Sequence, residues 1–189
     1  MIRQVIHCAS LIVILSARIC AAQEPPKEME HLKADVGTWD CEIRMWNPTD
    51  PKAEPAVSKG SETNVLMGGM WLISHFKGEM MGMPFEGSGQ FGFSPDSKKY
   101  AGTWVDTMSP YGMTVEGTWD EKTQTLTQMG TGKDPTGTEQ KMKMTTVHNK
   151  DGTRVFTIFA MMPNDETMKV MEMKYTKAKQ SDSKAAPSK

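Results

Sequence analysis

Turn signals recur along most of this chain at nearly even intervals, and that rhythm limits the fold more than any other feature. Ser94-Pro95-Asp96-Ser97, Ser109-Pro110-Tyr111-Gly112, Asp120-Glu121-Lys122, Asp134-Pro135-Thr136-Gly137, Asn149-Lys150-Asp151-Gly152 and Pro163-Asn164-Asp165 each combine residues that set or tolerate turn dihedrals. Measured at Pro95, Pro110, Glu121, Pro135, Lys150 and Asn164, the gaps are 15, 11, 14, 15 and 14 residues. Each gap holds one strand and its turn, the pattern of an antiparallel meander.

The segments between turns alternate as strands do. In TWDCEIRMW, Trp39, Cys41, Ile43 and Met45 share one face, and Thr38, Asp40, Glu42 and Arg44 share the other. TRVFTIFAMM is apolar on both faces near its middle, as in a strand covered on both sides. Ten strands are predicted, at 38–46, 57–67, 70–79, 85–94, 99–108, 112–119, 124–131, 138–148, 153–162 and 167–176. Ten consecutive antiparallel strands leave two exposed edges unless the sheet closes on itself. Only residues 47–56, NPTDPKAEPA, form a long connection. The expected fold is therefore all-β: a single antiparallel up-and-down β-barrel of about ten strands.

The barrel domain is placed at 37–176. Ahead of it, residues 23–36 form a linker and a short helix, since Met29, Leu32 and Val36 fall at helical spacing. Residues 177–189 are polar and small, and are expected to be a disordered tail. Residues 1–22 read as a signal peptide. Arg3 supplies the positive start, Leu11–Leu15 a short apolar run, and Cys20-Ala21-Ala22 the small residues of a cleavage site. The protein is expected to be exported, to the periplasm or outside the cell. A lipoprotein anchored through Cys20 is the alternative, but Arg18 and Ile19 stand where small residues are usual.

Cys41 is then the one thiol of the mature chain, so no internal disulfide forms. Beyond residue 22 there are 20 basic and 23 acidic side chains and no basic patch, which argues against a nucleic-acid partner. No second apolar stretch is long enough to span a bilayer.

One tripeptide recurs as Gly37-Thr38-Trp39, Gly102-Thr103-Trp104 and Gly117-Thr118-Trp119, with Gly69-Met70-Trp71 a looser relative. Gly permits a close backbone approach, and Trp supplies a large stiff plug, as tryptophans capping a barrel would. A short helix, a Gly-x-Trp opening the first strand and a ten-strand meander together resemble the calycin group: lipocalins, fatty-acid-binding proteins and nitrobindin-like barrels. The blocks MGGMWLISHFKGEMMGMPFEGSGQFGFSP, YAGTWVDTMSPYGMTVEGTWDEKTQTLTQMG and TRVFTIFAMMPNDETMKVMEMKYTK resemble an uncharacterised bacterial domain-of-unknown-function family over roughly residues 30–177. The resemblance implies a calycin-like barrel and no reaction. The lipocalin likeness further implies that Trp39, after Gly37, closes the barrel base beside a late basic side chain, for which Arg154 is the candidate.

No nucleophile, base and orienting group stand at recognisable spacings: the mature chain has His31, His75, His148 and Cys41, and lacks a Gly-x-Ser-x-Gly elbow. The Gly87-Ser88-Gly89 stretch reads as a strand kink, and a non-enzymatic role is expected. Seventeen of the 18 methionines lie beyond the leader, with Met-x-Met pairs at Met81/Met83, Met142/Met144 and Met171/Met173. Thioethers suit Cu(I), and they also suit the wall of an adaptable pocket. Nitrobindin-like barrels bind haem through a late histidine, for which His148 or His75 is the candidate. The leading expectation is a small apolar ligand held inside the barrel, touching Trp71, His75, Met81, Met83, Phe85, Trp104, Tyr111 and Phe159. A filled barrel with a structural or interaction role is the runner-up. Met80–Pro84 joins two strands, which puts the Met80/Met81/Met83 cluster at a rim as an apolar lip.

Overall fold

The structure is a computed structural model that describes residues 24–50, 52–162 and 166–179. The leader read at 1–22 and the tail from residue 180 onward lie outside the described residues. One helix, α1 (Met29–Lys33), precedes ten strands: β1 (Gly37–Met45), β2 (Ala56–Met67), β3 (Trp71–Met80), β4 (Met83–Ser94), β5 (Lys99–Asp106), β6 (Met113–Asp120), β7 (Thr125–Lys133), β8 (Glu139–His148), β9 (Arg154–Met161) and β10 (Thr167–Lys177). Every strand boundary falls within two residues of its predicted position. Each strand pairs antiparallel with its sequence neighbour, and β1 pairs with β10 from Trp39↔Lys177 to Met45↔Met171, closing the barrel. Closure leaves no free edge for another chain to pair with.

The alternation of β1 survives in three dimensions. Trp39, Cys41 and Ile43 are buried, while Thr38, Asp40 and Arg44 face out. The strands run alternately from floor to rim, so the odd-numbered strands end at the same rim. One end is stoppered by α1: Met29 and Leu32 pack with Leu72, Tyr100 and Leu126, and the Tyr100 hydroxyl donates to the Glu28 carbonyl at 2.9 Å. A five-residue helix is too short to stand alone, and this packing is what holds it.

The Gly-Ser-Gly stretch has a specific use. The Trp104 indole lies flat against β4, so that a Cβ at Gly87 would meet Trp104 Cζ2 at 2.1 Å and one at Gly89 would meet Cε3 at 2.8 Å. The two glycines make a recess in the wall for the ring. At the opposite rim from α1, β3 and β4 are joined by only Met81 and Gly82, both with positive φ (53° and 77°). That is the geometry of a two-residue hairpin whose twist matches the flanking strands.

Candidate functional site

The barrel encloses a cavity of about 780 Å³ that runs from the α1 floor to the opposite rim. Its wall is built mainly of Met, Phe and Trp. Phe76, Phe85, Phe91 and Trp104 form one side. Met113, Met142, Met144, Met171 and Met173 form the other, with Phe156 and Ile158 between them. Trp104 Nε1 donates to Asp106 Oδ2 at 3.0 Å, which fixes the ring against β4. Trp46, Pro48, Met81 and Met108 stand at the mouth.

The floor is polar and densely interlocked around Arg154, with Arg154 Nε, Asn64 Oδ1 and Trp119 Nε1 left without partners among the described residues. The Arg154 guanidinium reaches Asp35 through Nη1 at 3.1 Å and Glu62 through Nη2. It lies 4.9 Å from the Trp39 ring centroid and 4.1 Å from that of Tyr175. The Tyr175 hydroxyl donates to Glu62 Oε2 at 3.0 Å, and Asn64 Nδ2 donates to Glu62 Oε1 at 2.6 Å. Trp39 Nε1 donates to the Asp35 carbonyl at 2.7 Å, tying the first strand to the turn before it. His148 Nε2 approaches Asp35 Oδ1 at 3.2 Å, and His31 stacks on Trp119 at 4.3 Å. Burial opposes the Arg154 charge, but Asp35 and Glu62 outweigh it and raise the Arg154 pKa. Burial, with Glu62 adding to it, pushes the Cys41 thiol up to about 12 and raises the Tyr175 phenol well above its ordinary value.

The structure brings three of the eight proposed lining residues to the cavity: Met81, Phe85 and Trp104. The other five do not line it. Trp71 and His75 occupy the outward face of β3, where His75 Nδ1 lies 3.3 Å from the Ser88 hydroxyl. Met83 opens β4 at the rim and is exposed. Tyr111 sits in the exposed β5–β6 turn beneath Lys133. Phe159 points outward, under Lys143, because its strand partners in the cavity are the even-numbered Arg154, Phe156 and Ile158. Both members of Met142/Met144 and of Met171/Met173 line the cavity, whereas of Met81/Met83 only Met81 does.

Sequence reasoning missed Asp35, Glu62, Ser74 and Gln128, all buried and all on the cavity. The signal was present. Glu62 and Asn64 share parity on β2, and Gln128 shares parity with Leu126 on β7, so polar side chains stand on core-facing positions.

Residues 24–177 match the family described as "Protein of unknown function (DUF1579)". The chain belongs to this family. No curated protein matches it. Among solved structures, the crystal structure of Rv2717c from M. tuberculosis is similar to this DUF1579 protein, with a TM-score of 0.58 at 11% identity. The likeness covers 82% of this chain and 100% of that one, and it supports the calycin-like barrel. No helix among the described residues is long and apolar enough to cross a membrane.

Haem ligation through a late histidine does not fit the residues of this DUF1579 barrel. His148 is engaged by Asp35 and stands edge-on to Trp119 at 5.1 Å, and His75 is on the outer face. Neither lines the cavity.

Proposed function

We propose that this protein is an exported, non-enzymatic barrel that holds a small apolar molecule in its interior. The observation that supports this is the cavity. Its volume of about 780 Å³ lies within the roughly 300–1,000 Å³ of small-molecule sites. Kept dry and empty, a void of that size would cost on the order of 20 kcal/mol by the per-volume penalty of core cavities. That exceeds the net stability of about 5–15 kcal/mol of an ordinary domain. The space therefore holds water or a guest, and walls of Met, Phe and Trp favour an apolar guest. The methionines can repack around more than one shape, which suits a carrier better than a filled structural barrel.

Native mass spectrometry of protein recovered from its own secretion route tests the reading. An apolar adduct, on a chain whose first residue lies near Gln23, is expected. Stoichiometric copper would favour the thioether site instead. A bare protein that also fails to take up Nile red would end the carrier reading.

A further inference from the structure

The polar groups inside the cavity sort by whether they are already used, and this sorting bears on the chemistry of the guest. Arg154 is the cation of the floor, and both of its terminal nitrogens are committed, to Asp35 and to Glu62. Its Nε has no partner but is itself buried. The guanidinium is sandwiched by Trp39 and Tyr175, and the Tyr175 hydroxyl is taken by Glu62. A carboxylate arriving from the cavity would find one guanidinium already facing two carboxylates. It would be desolvated with no counter-charge, at high cost.

Besides Thr146, which is half-buried on the wall, two buried polar side chains are unused. Gln128 is 7% exposed and Ser74 is 4% exposed, and both line the cavity. No described residue forms a hydrogen bond with the Gln128 amide or the Ser74 hydroxyl, and neither group is sealed off as the Arg154 Nε is, so both open onto the cavity. Each stands one inward step mouthward of a floor residue, Gln128 after Leu126 on β7 and Ser74 after Leu72 on β3. An amide and a hydroxyl that open onto the cavity above a closed floor take their hydrogen-bond partners from what fills it, and a guest that displaces water there must replace those bonds. Both are uncharged, and between them they donate and accept.

We propose that the guest is an uncharged amphiphile, with an amide, hydroxyl or carbonyl end at the level of Gln128 and Ser74 and an apolar body along the Met and Phe wall. Fatty acids and other ionised acids are the wrong class. The proposal rests on the carrier reading and narrows it.

Competition against Nile red, a neutral apolar dye, with decanamide, decanol and decanoic acid on the full chain at about pH 8 tests it. The acid is ionised there, since a free carboxyl titrates near pH 4–5 (about 4.3 for Glu). The amide and the alcohol are expected to displace the dye at concentrations about tenfold or more below the acid. Gln128→Leu and Ser74→Ala, taken separately, should each shrink that preference while Nile red still binds. Either variant suffices if the other does not fold. Decanoic acid competing as well as decanamide, or a preference unchanged in both variants, would overturn the inference and leave the carrier reading standing. Failure of the wild-type chain to bind Nile red or any competitor would overturn both.

Discussion

Arg154 Nη1 donates to Asp35 Oδ2 across 3.1 Å, joining the first residue of β9 to the turn that precedes β1. With the Glu62 contact from β2, this one guanidinium ties three distant segments into a single floor. A buried ion pair is a weak source of net stability, but breaking one side of it is costly, because the carboxylates left behind lose their counter-charge. Arg154→Met is expected to destabilise the barrel by about 3–5 kcal/mol in urea unfolding. Adding Asp35→Asn and Glu62→Gln to that variant should recover most of the loss. A triple variant no more stable than the single one would show that guanidinium packing on Trp39 and Tyr175, and not charge balance, holds the floor.

The buried acids predict an alkaline limit. Cys41 is raised from 9.0 to about 12 and Tyr100 from 10.0 to about 12, in both cases chiefly by burial. Over that range the folded chain keeps protons that the unfolded chain has released. Stability is therefore full below about pH 9 and falls as pH rises toward about 12. The urea midpoint should drop steadily between those limits, and Cys41→Ala should make the drop shallower. Native Cys41 should also resist alkylation near pH 8 and react once the chain is unfolded. Rapid alkylation of the native protein would contradict the burial argument.

The Trp104 recess makes a steric prediction. Alanine at Gly87 would bring a Cβ within 2.1 Å of the indole, which cannot retreat without losing its bond to Asp106 or entering the cavity. Gly87→Ala is expected to cost about 1–3 kcal/mol, the usual range for overpacking, and to shift the tryptophan emission. In the Trp104→Leu background the same substitution should cost far less. Equal costs in the two backgrounds would mean that Gly87 answers to the backbone and not to Trp104.

The fold was legible in the sequence because turn spacing and alternation are local, and both depend on residues close in the chain. The Trp39–Arg154 pair came from the lipocalin likeness. The network around it was illegible, since Glu62 and Arg154 meet across a sequence separation of 92 positions. Alternation also fixes which residues share a face without saying which face is inside. On β9 both faces are apolar, so Phe159 could be expected at the ligand, yet its odd separation from the inward Arg154 sends it to the opposite side. On β3, Trp71 and His75 looked functional by residue type, yet Leu72, Ser74 and Phe76 are the inward set.

The rim methionines divide in the same way, and Met81 carries the last prediction. It is 66% exposed, lines the mouth of the cavity and adopts φ 53°, a left-handed backbone that favours Gly and Asn. Asn-Gly is the preferred pair for such a two-residue hairpin, so Met81 sacrifices turn stability of about 1 kcal/mol. A strained residue that keeps a long apolar side chain at a cavity mouth points to a role for that side chain. Met81→Asn should raise the thermal midpoint and weaken Nile red binding. Met83→Asn, on an exposed side chain that does not line the cavity, should leave binding unchanged. If Met81→Asn stabilised the barrel with no loss of uptake, the methionine would be a tolerated turn residue and the lip would have to be sought in Trp46 and Met108.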